Sequence, residues 1–554
     1  MELSCGIDIT ITTNGNDACL DFAKEELQAY LTRMFARLNV VEKKGSARFV
    51  LSLRQSPMLR YDGYQIVITE TDVRITSGQG RGVLHGVYHV LRMLGCSFWF
   101  SKASCQNIPT VRRKALPAGV YTENPLVEKR GIALLGINHD NIADVLATVD
   151  FMAKNCYNLL VTAPEINSNG IKEHSIHWEE IESTVLPHLM CRGIDICMAF
   201  GFSAIPCTKS AEPCTASDNS LPFDEASFES YVDDICNYIK DKPYIKTVGP
   251  LGFEYKMAGI STDIDKANRA FALLESRLHS VREDIVLLHS VNDEACTDTI
   301  LPPKSAVLLS APDKAFFWVH KDDKKQNVFL LDKYMADSFY GVSNVWIQPE
   351  QCKKLVSAAA NAECNGVISL WAPISSWWAA SLNFSIMSEA YYHPDFSIDE
   401  IVTELAVALW DACSAPLSKA LRLTVYQLQD TALWSRPPRA SLHIADHITH
   451  RNKIFDAQNA ASYDKRYNEI MDIVNSVSLV RLNEHGRYHL DCFKTYLALQ
   501  KQYFHSVDQY AQGDIATDKL QPYYDLLQKA KDTIGEGFQS ASYAKWRIED
   551  NGII

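Results

Sequence analysis

The sequence predicts an α/β fold: a (β/α)8 TIM-type barrel, with a small α+β domain before it and an all-helical domain after it. Three observations carry that reading. From about Glu128 to Pro394 short apolar runs alternate with helical stretches, and several of the runs end in polar clusters, as parallel strands buried on both faces do. The first 125 or so residues follow a different pattern of alternating strands and two helices. After His393-Pro394 the periodicity becomes helical alone. The expected domains are therefore residues 1–125, 126–395 and 396–554. A chain of 554 residues is too long for one core and accommodates such a division.

In the first domain, Ile7 to Thr12 alternates apolar and polar residues as a half-buried strand does. Asp17 to Met34 carries Leu20, Phe22, Ala23, Leu27 and Leu31 near helical spacing. Phe49–Leu53, Tyr64–Ile68 and Val73–Thr76 read as further strands, the last two joined through Thr69–Asp72. Gly82 to Leu94 reads as a second helix, closed by Gly95. The loop Gly78-Gln-Gly-Arg-Gly82 has G-x-G-x-G spacing rather than G-x-G-x-x-G, so it reads as a tight turn into that helix, not as a phosphate cradle.

The barrel begins at E-K-R-G-I-A-L-L-G-I-N-H-D, Glu128 to Asp140, an apolar run that delivers Asn138, His139 and Asp140. Eight strands are expected: Gly131–Ile137, Asn158–Thr162, Ile194–Phe200, Thr247–Phe253, Ile285–His289, Ala306–Ser310, Ser343–Gln348 and Gly366–Leu370. Helices are expected between most of them, among them Ile142–Lys154, Trp178–Cys191, Phe228–Ile239 and Lys266–Leu278. A doubly wound open sheet is the alternative. In the last domain Ser397-Ile-Asp-Glu400 has capping-box spacing before Ile401, Val402 and Leu405.

Composition narrows the function. The formal charge is −13, with 54 basic and 67 acidic residues, and no dense Lys/Arg stripe opposes it, so nucleic acid is not an expected partner. No uncharged apolar run of about 18 residues is seen, so no membrane span is expected. The N-terminus lacks a basic patch followed by an apolar core, and the 15 cysteines are scattered without a CxxC pair. Reduced thiols and a cytoplasmic location are expected.

Catalytic groups of such a barrel come from the C-terminal ends of its strands. That rule selects Asn138, His139 and Asp140 from strand one, Glu254 and Tyr255 from strand four and His289 from strand five. It adds Asp313 from strand six, Gln348 and Glu350 from strand seven and Trp371 from strand eight, with Trp377 and Trp378 beyond. Carboxylates and aromatic rings on one rim suit a sugar: rings pack on the apolar C–H face of a pyranose, and a pair of carboxyl groups breaks the glycosidic bond. Glu254, between Phe253 and Tyr255, is the expected proton donor, and Asp313 the first choice for its partner. The remaining residues are expected to bind substrate. His443, His447 and His450 share one helical face, and His174 and His177 sit in a polar stretch read as a loop. Neither set is completed by further ligands of the right kind, so no metal and no cofactor are expected. An oligosaccharide or glycan is the expected partner, and homo-oligomerisation is left open.

A resemblance supports the same direction. Asp62-Gly-Tyr-Gln-Ile-Val-Ile68, Ile75-Thr-Ser-Gly78 and the helix Arg81–Gly95, with its G-V-L-x-G-V-x-x-x-L-R pattern, resemble the domain that precedes the barrel in family 67 α-glucuronidases and family 20 hexosaminidases. Asn138-His139-Asp140-Asn141 resembles the N-H-W-D-N segment of the α-glucuronidases with one residue missing. The Gly252-Phe-Glu254 and Ser310-Ala-Pro-Asp313 segments are similar in place to their acid and to one of their base segments. A D-S-E-G sequence around the acid and a second base carboxylate are not matched. The layout also resembles family 163 endo-β-N-acetylglucosaminidases. The resemblance implies a glycoside hydrolase whose first domain is an accessory without catalytic residues. The unmatched base leaves a second reading: a carbohydrate-binding protein on the same scaffold.

Overall fold

A computed structural model describes residues 1–42, 45–135, 142–163, 171–199, 225–249, 264–291, 305–309, 315–320, 327–337, 347–372, 377–428, 457–511 and 521–534. They fall into two compact units, Met1–Asp332 with Lys354–Leu370, and Lys333–Lys353 with Trp371–Ile554.

In the first unit, six strands form a mixed sheet in the order Asn39–Val40, Asp8–Asn14, Ala47–Leu53, Asp72–Ser77, Tyr64–Ile68, Gly119–Glu123. The helices Ala18–Met34 and Gly80–Met93 pack on it. Asp17 starts the first helix by accepting from the backbone N–H groups of Cys19, at 2.8 Å, and Leu20, at 3.3 Å. The second helix lies flush on the sheet, which explains its glycines. A Cβ at Gly82 would sit 2.2 Å from Ser77 Oγ, and one at Gly86 2.5 Å from Ile75 Cγ2. The Gly78–Gly82 stretch is thus a packing device, as the turn reading expects.

Eight parallel strands then close into a barrel: Lys129–Leu135, Leu159–Ala163, Asp195–Ala199, Ile245–Gly249, Val286–Val291, Ser305–Leu309, Asn327–Asp337 and Gly366–Ala372. The open-sheet alternative is excluded. At the seam, Lys129 N donates to Asn365 O (2.9 Å) and Asn365 N to Val328 O (2.8 Å). Gly366 fits there because a Cβ would meet Lys129 O at 2.6 Å.

One expected strand is misplaced. Strand seven is Asn327–Asp337, not Ser343–Gln348; Ile347 and Gln348 are irregular backbone leading into the helix Pro349–Asn361. Residues Asn327 to Leu330 carry the ladder to strand six, while the polar Asp332 and Lys333 break up the apolar run that follows. Strand four is described over Ile245–Gly249, and the Pro250–Phe253 part of the expected strand lies outside the described residues. The stretch around His174 and His177 belongs to the helix Ile171–Arg192 instead of a loop.

The accessory sheet meets the barrel at the N-terminal ends of strands one to three. Asp62 is fully buried there. Its Oδ2 accepts from Arg130 Nη2 at 2.6 Å and from Asn158 Nδ2 at 3.0 Å, and lies 3.3 Å from Arg81 Nε. Arg130, itself fully buried, also donates to the carbonyls of Cys156, Val127 and Glu128. Arg81 reaches on to Asp195 at 3.0 Å, where Lys129 joins at 2.7 Å. Burial pushes the Asp62 carboxyl up, yet Arg130 and Arg81 overcome it and hold the group well below the usual carboxylate range. His85, 3.9 Å away, contributes no charge, because burial pulls its own pKa down to about 3.

The second unit is helical: Ile398–Trp410, Ser414–Leu423, Ala457–Ser476, Glu484–Ala511 and Gln521–Ile534 follow the Trp377–Ala390 helix. Ser397 occupies the first N-cap, but its hydroxyl makes no capping hydrogen bond. The stretch Ile398–Tyr426 is long and apolar enough to pass for a membrane span, with mean hydropathy 1.2, which the search for an uncharged run did not anticipate. It is interrupted at Asp411–Cys413, and Ile401, Val402, Leu405 and Leu409 are buried in the unit, as in a core helix.

Removing Asp62 leaves Arg130 buried without its counter-charge. Asp62→Ala should destabilise the first unit by about 3–5 kcal/mol in urea unfolding, and Asp62→Ala with Arg130→Met should recover part of the loss. Equal stabilities for wild type and Asp62→Ala would remove the pair from its role in joining sheet to barrel.

Candidate active site

The C-terminal ends of the barrel strands are Leu135, Ala163, Ala199, Gly249, Val291, Leu309, Asp337 and Ala372. Asn138, His139 and Asp140 follow the first in sequence, Glu254 and Tyr255 the fourth, and Asp313 the sixth. All six lie outside the described residues, as does the His443, His447 and His450 set. What the structure gives for the carboxylate candidates is the placement of the strands that lead to them.

Four candidates are described, and none presents its side chain as expected. His289 is fully buried within strand five. The register pairs Leu287 with Ser305, so His289 shares a face with Ser305. Ser305 Oγ lies 3.1 Å from His289 Nε2 and 3.4 Å from Glu275 Oε1 on the helix Ile264–Val281, so this face looks towards the helices and not into the barrel. Burial lowers the His289 pKa to about 3, which keeps the imidazole neutral in its slot. The position is one of packing, and the expected substrate contact is corrected.

Trp371, at the end of strand eight, is also fully buried. Its ring stacks on Phe384 with centroids 4.8 Å apart and planes 17° apart. A platform for sugar needs an exposed ring face, and this one is covered. Trp377 and Trp378 are buried too, and Trp378 Nε1 donates to His489 Nδ1 at 3.2 Å. Gln348 and Glu350 belong to the start of the helix Pro349–Asn361, not to a strand end. The Gln348 N–H donates to Asn383 Oδ1 at 2.7 Å, while Glu350 is exposed in the first turn, where a carboxylate complements the helix dipole.

Exposed aromatic rings stand elsewhere. Phe316 and Phe317 follow strand six on the short helix Ala315–Val319 and are 62% and 49% exposed. In sequence A-F-F-W-V looks like core; only the face on which each residue lies distinguishes them. Among the described residues no group of three or more His, Cys, Asp and Glu side chains is arranged to hold a metal.

The fold that emerges, an accessory α+β domain fixed to a closed β/α barrel and followed by helices, is that of a class of glycoside hydrolases. The family model "Glycosyl hydrolase family 20, domain 2" matches residues 2–112, which bears out the resemblance read from Asp62 to Gly95. A family GH115 4-O-methyl-α-glucuronidase with specificity for decorated arabinogalactans superposes with TM-score 0.67 at 11% identity, over 97% of this chain and 78% of the other. A GH138 enzyme targeting pectin rhamnogalacturonan II gives 0.62 at 9% identity, over 98% and 74%. A Streptomyces plicatus N-acetyl-β-hexosaminidase gives 0.54 at 15% identity, over 77% and 93%. No curated protein sequence matches the chain.

Two predictions follow from these placements. Trp371→Ala should cost about 3–5 kcal/mol of stability through the cavity it leaves. A variant of normal stability that had lost affinity for glycan would instead place Trp371 at the mouth. Secondly, His85, His289 and His489 are each held neutral by burial, with pKa values of about 3 against 6.5 for a free imidazole. Between those pH values the unfolded chain takes up protons that the folded chain refuses, so stability falls as pH drops from about 6.5 towards 3. Melting temperature followed over that range should fall, and less steeply in His289→Gln. A flat profile in the wild type would contradict the burial.

Proposed function

We propose that the chain is a glycoside hydrolase acting on a complex glycan at the C-terminal mouth of its barrel. Glu254 is the proton donor in this reading and Asp313 its ionised partner. The observation that supports it is the closed eight-stranded barrel joined to a domain matched by the family 20 model; Glu254 and Asp313 follow strands four and six in sequence.

The chemistry requires unlike environments for two carboxyl groups. Glu254 stands between Phe253 and Tyr255, neighbours that offer little to stabilise a negative charge. A proton retained there is available to the departing glycosidic oxygen. Asp313 lies in the polar Pro312-Asp-Lys314 stretch, which favours its ionised form. Asn138, His139 and Asp140 provide donors and acceptors for sugar hydroxyls, and Tyr255 a ring and a hydroxyl. General acid catalysis of this kind calls for neither metal nor cofactor.

Two sugar classes suit the reading: uronic acids, paired through Lys256 or Lys314, and N-acetylhexosamines. The 4-O-methyl-α-glucuronidase and the N-acetyl-β-hexosaminidase of similar fold span both. With an N-acetyl sugar the substrate's own acetamide can act as nucleophile, which removes the need for a second protein nucleophile. The unmatched base carboxylate favours one other reading, a glycan-binding protein without turnover.

Glu254→Gln keeps the shape of the side chain and removes the proton. Turnover of natural glycans should fall by about 10²–10⁴ while binding persists, with a smaller loss on aryl glycosides whose leaving group is already acidic. Near-normal turnover in Glu254→Gln would remove it from the mechanism, and binding without turnover by the wild type would favour the second reading.

A further inference from the structure

We propose that Phe316 and Phe317 form a glycan platform on the rim beyond strand six, holding a sugar unit of the substrate away from the bond that is cleaved. The inference rests on the glycosidase reading above and adds the residues that would select a long substrate over a short one. The first argument is placement. Strand six ends at Leu309 and the helix Ala315–Val319 is the next described element, so it follows the C-terminal end of that strand in sequence. The two rings stand at the start of that helix and follow Asp313 closely in sequence.

The second argument is exposure against expectation. The helix buries Ala315, Trp318 and Val319 and turns Phe316 and Phe317 outward. Among the described residues they are the phenylalanine and tryptophan side chains that stand exposed, whereas Trp371, Trp377 and Trp378 are enclosed in packing. The Phe316 ring is braced by His320, with centroids 4.3 Å apart and planes at 49°, and His320 N donates to Phe316 O at 3.2 Å. One side of the ring is therefore held in place.

The third argument is size. Exposed to 62% and 49%, the two phenylalanine rings offer roughly 150–300 Å², well short of the ~800 Å² per partner that a stable protein interface buries. A pyranose presents an apolar C–H face of about one ring's extent, and stacking on it needs no charge. Among the described residues the patch has the extent of a sugar ring or two and falls short of what a folded partner would bury.

The test uses the full chain and a Phe316→Ala, Phe317→Ala double variant, with chitohexaose and arabinogalactan as extended probes. The short probes are 4-nitrophenyl N-acetyl-β-D-glucosaminide and 4-nitrophenyl α-D-glucuronide. Affinity for the extended probe that binds should weaken about tenfold, and kcat/KM on it should fall by a similar factor relative to the short glycoside. Phe316→Tyr with Phe317→Tyr, which keeps both rings, should retain the affinity and exclude misfolding as the cause. Unchanged affinity in the alanine variant would overturn the platform and leave the glycosidase reading standing. So would a wild-type dimer that falls to monomer in the variant with affinity intact, since the rings would then belong to an interface. If the wild type neither bound nor cleaved any of the four probes, both readings would fail together.

Discussion

A carboxylate buried beneath the barrel sets the geometry of the first unit. Asp62 is shut off from water, and its charge is sustainable only because Arg130 and Arg81 point at it and Asn158 donates a further hydrogen bond. Those partners come from the accessory helix and from the starts of barrel strands one and two, and Arg81 continues to Asp195 at the start of strand three. Burying ions is expensive, and a well-made buried pair roughly offsets its own desolvation. Its consequence is specificity of docking: any other seating of the sheet would leave a guanidinium or a carboxylate unpaired in the interior. The accessory domain is thereby fixed at the N-terminal ends of the strands, the stabilising end of a barrel, and the opposite end is the one where such folds carry their chemistry.

How far the sequence was legible follows from which forces shape each element. The Gly82–Arg92 pattern was readable because its glycines answer a contact, the close approach of helix to sheet at Ser77 and Ile75. Most barrel strands were readable because both of their faces are buried. Strand seven was not, since Asp332 and Lys333 follow its apolar half while Ser343–Gln348, with Val345, Trp346 and Ile347 in a row, reads in sequence as the more apolar run. Periodicity also says nothing about which side of a barrel strand a residue faces. Strand number alone points His289 to the mouth, whereas its neighbours Ser305 and Glu275 show that it faces the helices.

The aromatic residues show the same limit from the other side. Tryptophan after a barrel strand suggests a sugar platform, but a large ring is equally useful as filling. Trp371 against Phe384 and Trp378 against His489 and Tyr496 are used as filling. The less conspicuous Phe316 and Phe317 carry the exposed surface. Glu254 and Asp313 are candidates from a positional rule that depends on topology, and the closed barrel supplies that topology.

The central claim is that a glycan is bound and cleaved at the C-terminal end of this barrel with Glu254 at the scissile bond. A crystal structure of Glu254→Gln with an extended glycan bound tests it most directly. The account predicts the sugar across the C-terminal ends of the strands, with the introduced amide about 3 Å from a glycosidic oxygen and Asp313 and His139 at the same mouth. A glycan bound at the N-terminal ends, or position 254 on the opposite face from His139, would contradict it.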